Sequence, residues 1–250
     1  KGFVCNDDQN LKNIIRKTKN KNFYTYGKDK KSNFQIVNVK QTSNLSSFDI
    51  KINIPSKKKI IKRIKLPMIG MHNIRNATAA ISLAFTIGLP EKCIKAGIYN
   101  FKGVQRRFSH LFDYNNISFY DDYAHHPTEI SSVLSGVEKV YKNKEIVCVF
   151  QPHRISRVIS LKKEFSKCFK KADTVLLCPI YAANEKLRLN FTYHSFAKLI
   201  IKNSNVRLIQ VENELQLQKF IKQNVFGEKI YIGMGAGSIS NWMKNLKNIF

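Results

Sequence analysis

The chain has 250 residues, with 43 lysines and arginines against 17 aspartates and glutamates, and a formal net charge of +26 at pH 7. A hydrophobic content of 43%, of which aromatics are a good share, supports a real core for one large domain or two modest ones. No apolar run reaches the roughly 18 residues that mark a membrane span, and the five cysteines include no CxxC pair, which argues against a zinc site or a disulfide framework.

The positive charge is spread along the whole chain, and Lys, Asn and Ile stand where Arg, Ala and Leu are usual. Compositional bias therefore accounts for it better than a nucleic-acid or anionic-membrane partner, and no specific nucleic acid is expected. Cys148 and Cys178 fall in apolar strand patterns as small hydrophobes, and the odd cysteine count fits a reducing, cytoplasmic setting. No secretory signal opens the chain. It starts at Lys1 in what reads as mid-domain, so a fragment or processed product is expected.

In chain order, residues 1 to 66 read as β-rich. Tyr24-Thr25-Tyr26-Gly27 marks a short strand and turn. Phe34, Ile36 and Val39, then Phe48, Ile50, Ile52 and Ile54, mark half-buried strands. Lys57 to Lys65 reads as one exposed strand or hairpin. His72 to Ile87 reads as a helix with a small-residue face, ended by Gly88, and Pro90 opens another through Tyr99. Phe101 to Phe108 is a connector, and a domain boundary is placed between 104 and 105.

Beyond it, strands alternate with helices: strand 117–120, helix 128–141, strand 146–150, helix 158–171, strand 173–178, helix 193–203, strand 206–210, helix 212–222, strand 229–232, helix 238–248. This rhythm predicts an α/β fold with a mostly parallel, doubly wound sheet.

The chemistry gathers at two strand ends, where α/β sheets bind ligands. The first is Asp121-Asp122-Tyr123-Ala124-His125-His126-Pro127. Neighbours on a strand point to opposite faces, so one acid enters a pocket. Asp122 is the candidate, with Asp121 as its structural partner; a helix N-cap carboxylate is the plainer alternative. Of the adjacent His125 and His126, one faces the site and the other the scaffold.

The second is Gln151-Pro152-His153-Arg154-Ile155-Ser156-Arg157, read as opening a helix. Arg154 and Arg157, three apart, share a helix face suited to a carboxylate or phosphate, against a reading as surface salt bridges. Asn73 and Asn76, also three apart, can meet a purine edge, with capping as the rival for Asn73. Gly233-Met234-Gly235-Ala236-Gly237 could cradle an anion or simply make a tight turn. No GxxxxGK[ST] phosphate loop is present.

Together the Asp121–Ile130 stretch, Gln151–Arg157, Gly70–Ala77, Phe101–Phe108 and Tyr181-Ala182-Ala183-Asn184-Glu185 resemble the Mur ligase family. The resemblance implies a partial central ATPase domain over 1–104 and a Rossmann-like C-terminal domain over 105–250. It implies ATP-dependent joining of L-alanine to the carboxylate of UDP-N-acetylmuramate through an acyl phosphate, in peptidoglycan biosynthesis. ATP and Mg2+ are the implied cofactors, with the metal ligands, phosphate loop and UDP site expected upstream of Lys1. A 250-residue chain alone would then be inactive.

Residue by residue, the resemblance places Asn73 and Asn76 at adenine, Arg106 or Arg107 at ribose or phosphate, and Asp122 toward the nucleotide. It places Tyr123, His125, His153, Arg154 and Arg157 around alanine and the reacting carboxylate. Asp122, His125, Arg154 and Arg157 are the expected catalytic group, in a site assembled by domain closure. Asn184 stands where the family has glycine, and a left-handed backbone there is expected to be tolerated through asparagine. The rival readings are a murein-tripeptide recycling ligase of the same family and a truncated, non-catalytic binding module.

Overall fold

The computed structural model describes residues 1–19, 22–42, 44–55, 57–186 and 192–250. It divides into two compact units, Lys1–Gly103 and Val104–Phe250.

The first unit is a five-stranded sheet of β1 (Gly2–Cys5), β2 (Phe23–Gly27), β3 (Phe34–Gln41), β4 (Ser46–Ile54) and β5 (Lys57–Leu66), in that spatial order. β1, β2 and β3 run parallel, and β4 and β5 continue antiparallel. Helix α1 (Gln9–Lys17) follows β1; α2 (Met71–Thr86) and α3 (Glu91–Tyr99) follow β5. Ile74, Ala77 and Ile81 of α2 share one core with Phe34, Ile50, Ile61 and Ile64 of the sheet.

Phe34, Ile36 and Val39 break strict alternation, and so do Ile61 and Ile64. A spacing of three sends side chains to opposite faces unless the strand gains a residue. The register slips between Val37 and Lys40, where Asn38 is left-handed at φ 54°, and again opposite Arg63, also at φ 54°. Asp49 of β4 serves both irregularities. Its Oδ2 accepts from Asn38 Nδ2 at 2.7 Å and its Oδ1 accepts from the Arg63 amide at 2.7 Å. The expected exposed strand 57–65 is thus half-buried: Ile61 and Ile64 lie on the core face while Lys57, Lys58, Lys59, Lys62 and Lys65 stay in water. Asp49→Ala should cost about 1–2 kcal/mol in urea unfolding, because both strand irregularities lose their acceptor. A loss below a few tenths would show that the bulges hold without it.

The second unit is a six-stranded sheet in the order β10-β9-β8-β11-β7-β6. Its members are β6 (Ser109–Tyr114), β7 (Ile117–Asp122), β8 (Glu145–Phe150), β9 (Thr174–Leu177), β10 (Arg207–Gln210) and β11 (Lys229–Met234). Five strands are parallel and β6 is an antiparallel edge. Both faces are covered, as a parallel sheet requires. One face carries Phe119, Val149, Leu176 and Tyr231 against α8 (Glu214–Gln223) and α9 (Ile239–Asn245). On the other, Phe150 meets Phe165 and Phe169, and Phe165 meets Phe196 of α7 (Tyr193–Ser204). Helix α4 (Pro127–Val140) links β7 to β8.

The expected helix 158–171 is corrected. Two short helices stand there, α5 (Ile155–Ser160) and α6 (Lys162–Phe165), followed by turns. Side chains replace the helical ladder beyond α6: Ser204 Oγ donates to the Ser166 carbonyl at 2.7 Å and accepts from the Phe169 amide at 3.3 Å. No helix among the described residues is long and apolar enough to cross a membrane.

Candidate functional site

The expected residues of the second unit gather at the carboxyl ends of β7, β8 and β11. The register pairs Asp121 and Asp122 with Gly233 and Met234 of β11, and Met234 in turn with Phe150 of β8. Past these ends lie three turns that carry polar and aromatic side chains.

The first turn follows β7. Asp122 is 1% exposed, and its two oxygens accept from the amides of Phe108 at 2.8 Å and Ala124 at 2.7 Å. The carboxylate expected to face a ligand therefore clamps the connector to the turn that bears Tyr123. Burial raises its pKa to about 6, against the pull of those two amides and of Arg107. The two histidines turn to different partners. His126 is the N-cap of α4, accepting from the Thr128 amide, with Glu129 completing a capping box. His125 turns the other way, its Nδ1 2.9 Å from the Tyr123 carbonyl and its ring edge-on to Tyr123. A carbonyl only accepts, so Nδ1 carries the proton and Nε2 is the free base in the neutral ring.

The second turn follows β8. Here the expectation of two arginines on one helix face is corrected. Arg154 precedes α5 as its N-cap, left-handed at φ 66°, so helical spacing does not relate it to Arg157. Arg157 instead folds back on His153, with Nη1 3.3 Å from Nδ1. A guanidinium only donates, so this nitrogen is the acceptor and His153 is neutral. Burial first, then Arg157, His125 and Arg154, hold its pKa below the ordinary imidazole value. His125 and His153 meet ring to ring, with centroids 5.9 Å apart.

Tyr181 is the member that residue-type reasoning missed. An isolated parallel bridge extends the β8 and β9 ends: the Tyr181 amide donates to Pro152 and the Arg154 amide donates to the Tyr181 carbonyl. The Tyr181 ring lies flat on His153, 5.6 Å between centroids at 8°. The segment after it needs left-handed backbone at Ala183 and Asn184, with φ 50° and 67°. Glu185 then accepts from the amide and hydroxyl of Ser156, fixing α5 to this turn. The signal was present in Tyr181-Ala182-Ala183-Asn184-Glu185, but nothing local tells that its ring reaches a histidine 28 positions earlier.

The third turn is the glycine-rich one after β11. A Cβ on Gly235, at φ 151°, would lie 2.6 Å from the Gln151 carbonyl oxygen. A Cβ on Gly237 would lie 2.5 Å from Gln151 Oε1 and 2.6 Å from Tyr181 Cγ. Glycine here is needed for close packing against Gln151, which caps the next segment through Ser238 and the Ile239 amide. Gly237→Ala should therefore displace Tyr181 from His153 and cost about 1–3 kcal/mol. The check is thermal unfolding together with the His153 proton resonances; an unmoved His153 would refute the packing.

Arg106 and Arg107 come from the connector. Arg106 lies 4.8 Å over the Tyr123 ring, with Nη2 donating to the Gly235 carbonyl and Nε 3.3 Å from Asp121 Oδ2. Arg107 is exposed, 5.9 Å from the same ring. Asp121 is 1% exposed and accepts from Ser240 Oγ at 2.6 Å.

In the first unit, Asn73 and Asn76 both fall on α2. Asn73 is buried and its Nδ2 donates to the Ile69 carbonyl at 2.7 Å, just before the helix; the N-cap itself is Gly70. Asn76 is exposed. Arg75 between them donates through Nε to Asp7 at 2.7 Å, and Asp7 also accepts from the amides of Lys28 and Asp29. Burial alone would raise the Asp7 pKa, but these donors outweigh it and hold it low. The ends of β1 and β2 are thereby tied to the first turn of α2. Among the described residues, no group of three or more His, Cys, Asp or Glu is arranged to hold a metal ion.

Comparison with known proteins names this arrangement. The Mur ligase middle domain matches residues 1–84, and the Mur ligase glutamate ligase domain matches residues 106–225. The UDP-N-acetylmuramate–L-alanine ligase of Pelagibacter ubique is 58% identical over 250 residues, which is 100% of this chain and 54% of that protein. That of Agrobacterium fabrum is 35% identical over 96% of this chain and 51% of its own length. Among solved structures, a UDP-N-acetylmuramate–alanine ligase from Thermotoga maritima matches with a TM-score of 0.69 and 27% identity, covering 90% of this chain and 47% of that one. A murein peptide ligase from Psychrobacter arcticus has a TM-score of 0.68 at 19% identity, over 99% of this chain and 50% of that one, a likeness of fold. The chain spans about half the length of the curated relatives it matches. With two domain models side by side across most of its length and strand-end motifs on a parallel sheet, the chain belongs to the Mur ligase family.

Proposed function

We propose that this chain forms the amino-acid and nucleotide portions of an ATP-dependent ligase that joins L-alanine to the carboxylate of UDP-N-acetylmuramate. The observation that carries the reading is the strand-end belt of Tyr123, His125, His153 and Tyr181, flanked by Arg154 and Arg157. It accompanies 58% identity to a relative of that name.

The chemistry sets what the belt must do. A carboxylate is a poor electrophile, so its oxygen first attacks the γ-phosphorus of ATP and ADP leaves. The amine of alanine then attacks the acyl carbon, and the tetrahedral intermediate collapses with loss of phosphate. Charge must be held by cations already in place. Arg154 and Arg157 are assigned to the alanine carboxylate and the reacting anions. His153, held as a neutral ring by burial and Arg157, suits an amine that must reach the acyl carbon unprotonated, with His125 edge-on beside it. Tyr123 forms the wall beside them. Asn76 is the open amide for the adenine edge, with Asn73 fixing the helix start beneath it, and Asp122 acts by holding the turns that carry Arg107 and Tyr123.

ATP is taken with Mg2+. Among the described residues no cluster of three or more His, Cys, Asp or Glu is arranged to hold the metal. A cytoplasmic setting follows from the substrates, and no nucleic-acid partner is part of the reading.

The test is a ligation assay with ATP and UDP-N-acetylmuramate, in which L-alanine and the murein tripeptide are supplied in turn to the natural protein. UDP-N-acetylmuramoyl-alanine by mass spectrometry with L-alanine alone is the expected product. Ligation of the tripeptide but not of alanine would assign the recycling activity instead. Salt-sensitive DNA binding with no response to nucleotide or alanine would support a binding module.

A further inference from the structure

We infer that the two adjacent arginines of the connector have different jobs: Arg106 is a positioning residue that holds the Tyr123 ring, and Arg107 alone is left to meet an anionic ligand. The guanidinium of Arg106 is engaged on three sides. Nη2 donates to the Gly235 carbonyl at 2.5 Å, Nε sits 3.3 Å from Asp121 Oδ2 as an ion pair without hydrogen-bond geometry, and its carbon lies 4.8 Å from the centre of the Tyr123 ring. The backbone closes the same loop, since the Tyr123 amide donates to the Arg106 carbonyl at 2.7 Å. That carbonyl belongs to a left-handed residue at φ 60°, a conformation that turns the side chain of Arg106 under Tyr123 and leaves Arg107 exposed.

Asp121 is the anchor. It is 1% exposed, its Oδ2 accepts from Ser240 at 2.6 Å, and its Oδ1 has no hydrogen-bond partner among the described residues. A buried carboxylate needs a cation, and Arg106 is the one that lies against it. The arginine therefore cannot swing out to a ligand without leaving that charge uncompensated, orphaning the Gly235 carbonyl contact and uncovering one face of Tyr123. Lysine cannot substitute: it can neutralise Asp121, but it has no planar face to lay on the ring and no fork to reach Gly235 at the same time. Arg107 is exposed, donates no hydrogen bond to Gly235 and makes no ion pair with Asp121, and it lies farther from the Tyr123 ring, at 5.9 Å.

The inference rests on the proposed function only in taking a nucleotide as the anion. Its test uses the full 250-residue chain with 13C-labelled tyrosine, as wild type, Arg106→Lys and Arg107→Lys, titrated with ADP. Arg106→Lys should move the Tyr123 ring resonance while leaving Tyr231 in place, and should change ADP affinity less than about twofold. Arg107→Lys should leave Tyr123 near its wild-type position and weaken ADP about tenfold, the loss of one charge-assisted hydrogen bond. An unmoved Tyr123 in Arg106→Lys, or a loss of ADP affinity equal to that of Arg107→Lys, overturns the assignment. If wild type binds no ADP, the nucleotide reading fails, and the Tyr123 resonance still decides the role of Arg106. Should Arg106→Lys fail to fold, Asp121→Asn keeps the guanidinium and removes its anchor; the same displaced Tyr123 resonance is expected, and an unmoved one overturns the inference.

Discussion

Arg106→Ala is expected to destabilise the Val104–Phe250 unit by about 3 kcal/mol, near the low end for breaking a buried ion pair. The low end applies because the Arg106 side chain is 22% exposed while Asp121 is 1% exposed. The damage comes less from the lost attraction than from the carboxylate left behind, which sits under Ser240 and cannot reach water. That cause makes a sharp secondary expectation. Asp121→Asn added to Arg106→Ala removes the stranded charge and should restore part of the loss, so the pair of changes costs less than the first alone. Urea unfolding of the three variants measures this directly. A single-variant loss under about 1 kcal/mol, or a double variant worse than the sum, would mean that Arg106 does not compensate Asp121.

Asp122→Asn should gain stability relative to wild type as pH rises from about 4 to about 6.5, by roughly 3 kcal/mol in the difference between the two proteins. The sign follows from the direction of the shift. The buried carboxyl titrates at about 6 in the folded protein against an ordinary value of 3.8. Between those values the native state holds the proton more tightly than the unfolded chain does. Folding stability from this group is therefore greatest at low pH, falls as pH rises through the window, and is level above it. Asparagine stays neutral throughout and is free of that slope. Its NH2 would face one of the two amides now bound by Asp122, a mismatch of about 1–2 kcal/mol that is constant with pH and drops out of the difference. Urea midpoints for both proteins at several pH values give the curve. A flat difference would show that the two amides and Arg107 hold Asp122 ionised at ordinary acidity.

Much of the architecture was legible because it rests on periodicity. Apolar runs such as Ile146–Phe150 and Ile230–Met234 are short, unbroken and bounded by turn residues, and buried parallel strands must look that way. The antiparallel edge β6 went unread, since Ser109–Tyr114 carries exposed polar residues and an irregular register opposite β7. The break after α5 was also hidden: Leu161–Lys171 has helical composition, and the serine that diverts its backbone, Ser204, comes from α7. At the strand ends the residue types were readable, and so was the start of α4 at Pro127 with Glu129 in its first turn, but that His126 caps this helix was not.

By itself, the order of amino acids determined the α/β class, the strand ends that bear the acids, histidines and arginines, and the start of α4 at Pro127. These depend on neighbours within a few positions, where spacing and side-chain type are sufficient. Tertiary structure decided which groups are open. It turned Asp122 onto two backbone amides, laid Tyr181 on His153, folded Arg157 back rather than beside Arg154, and set Arg106 between Asp121, Gly235 and Tyr123. The partners in each case are brought together by sheet register and strand order, so no local pattern can carry them.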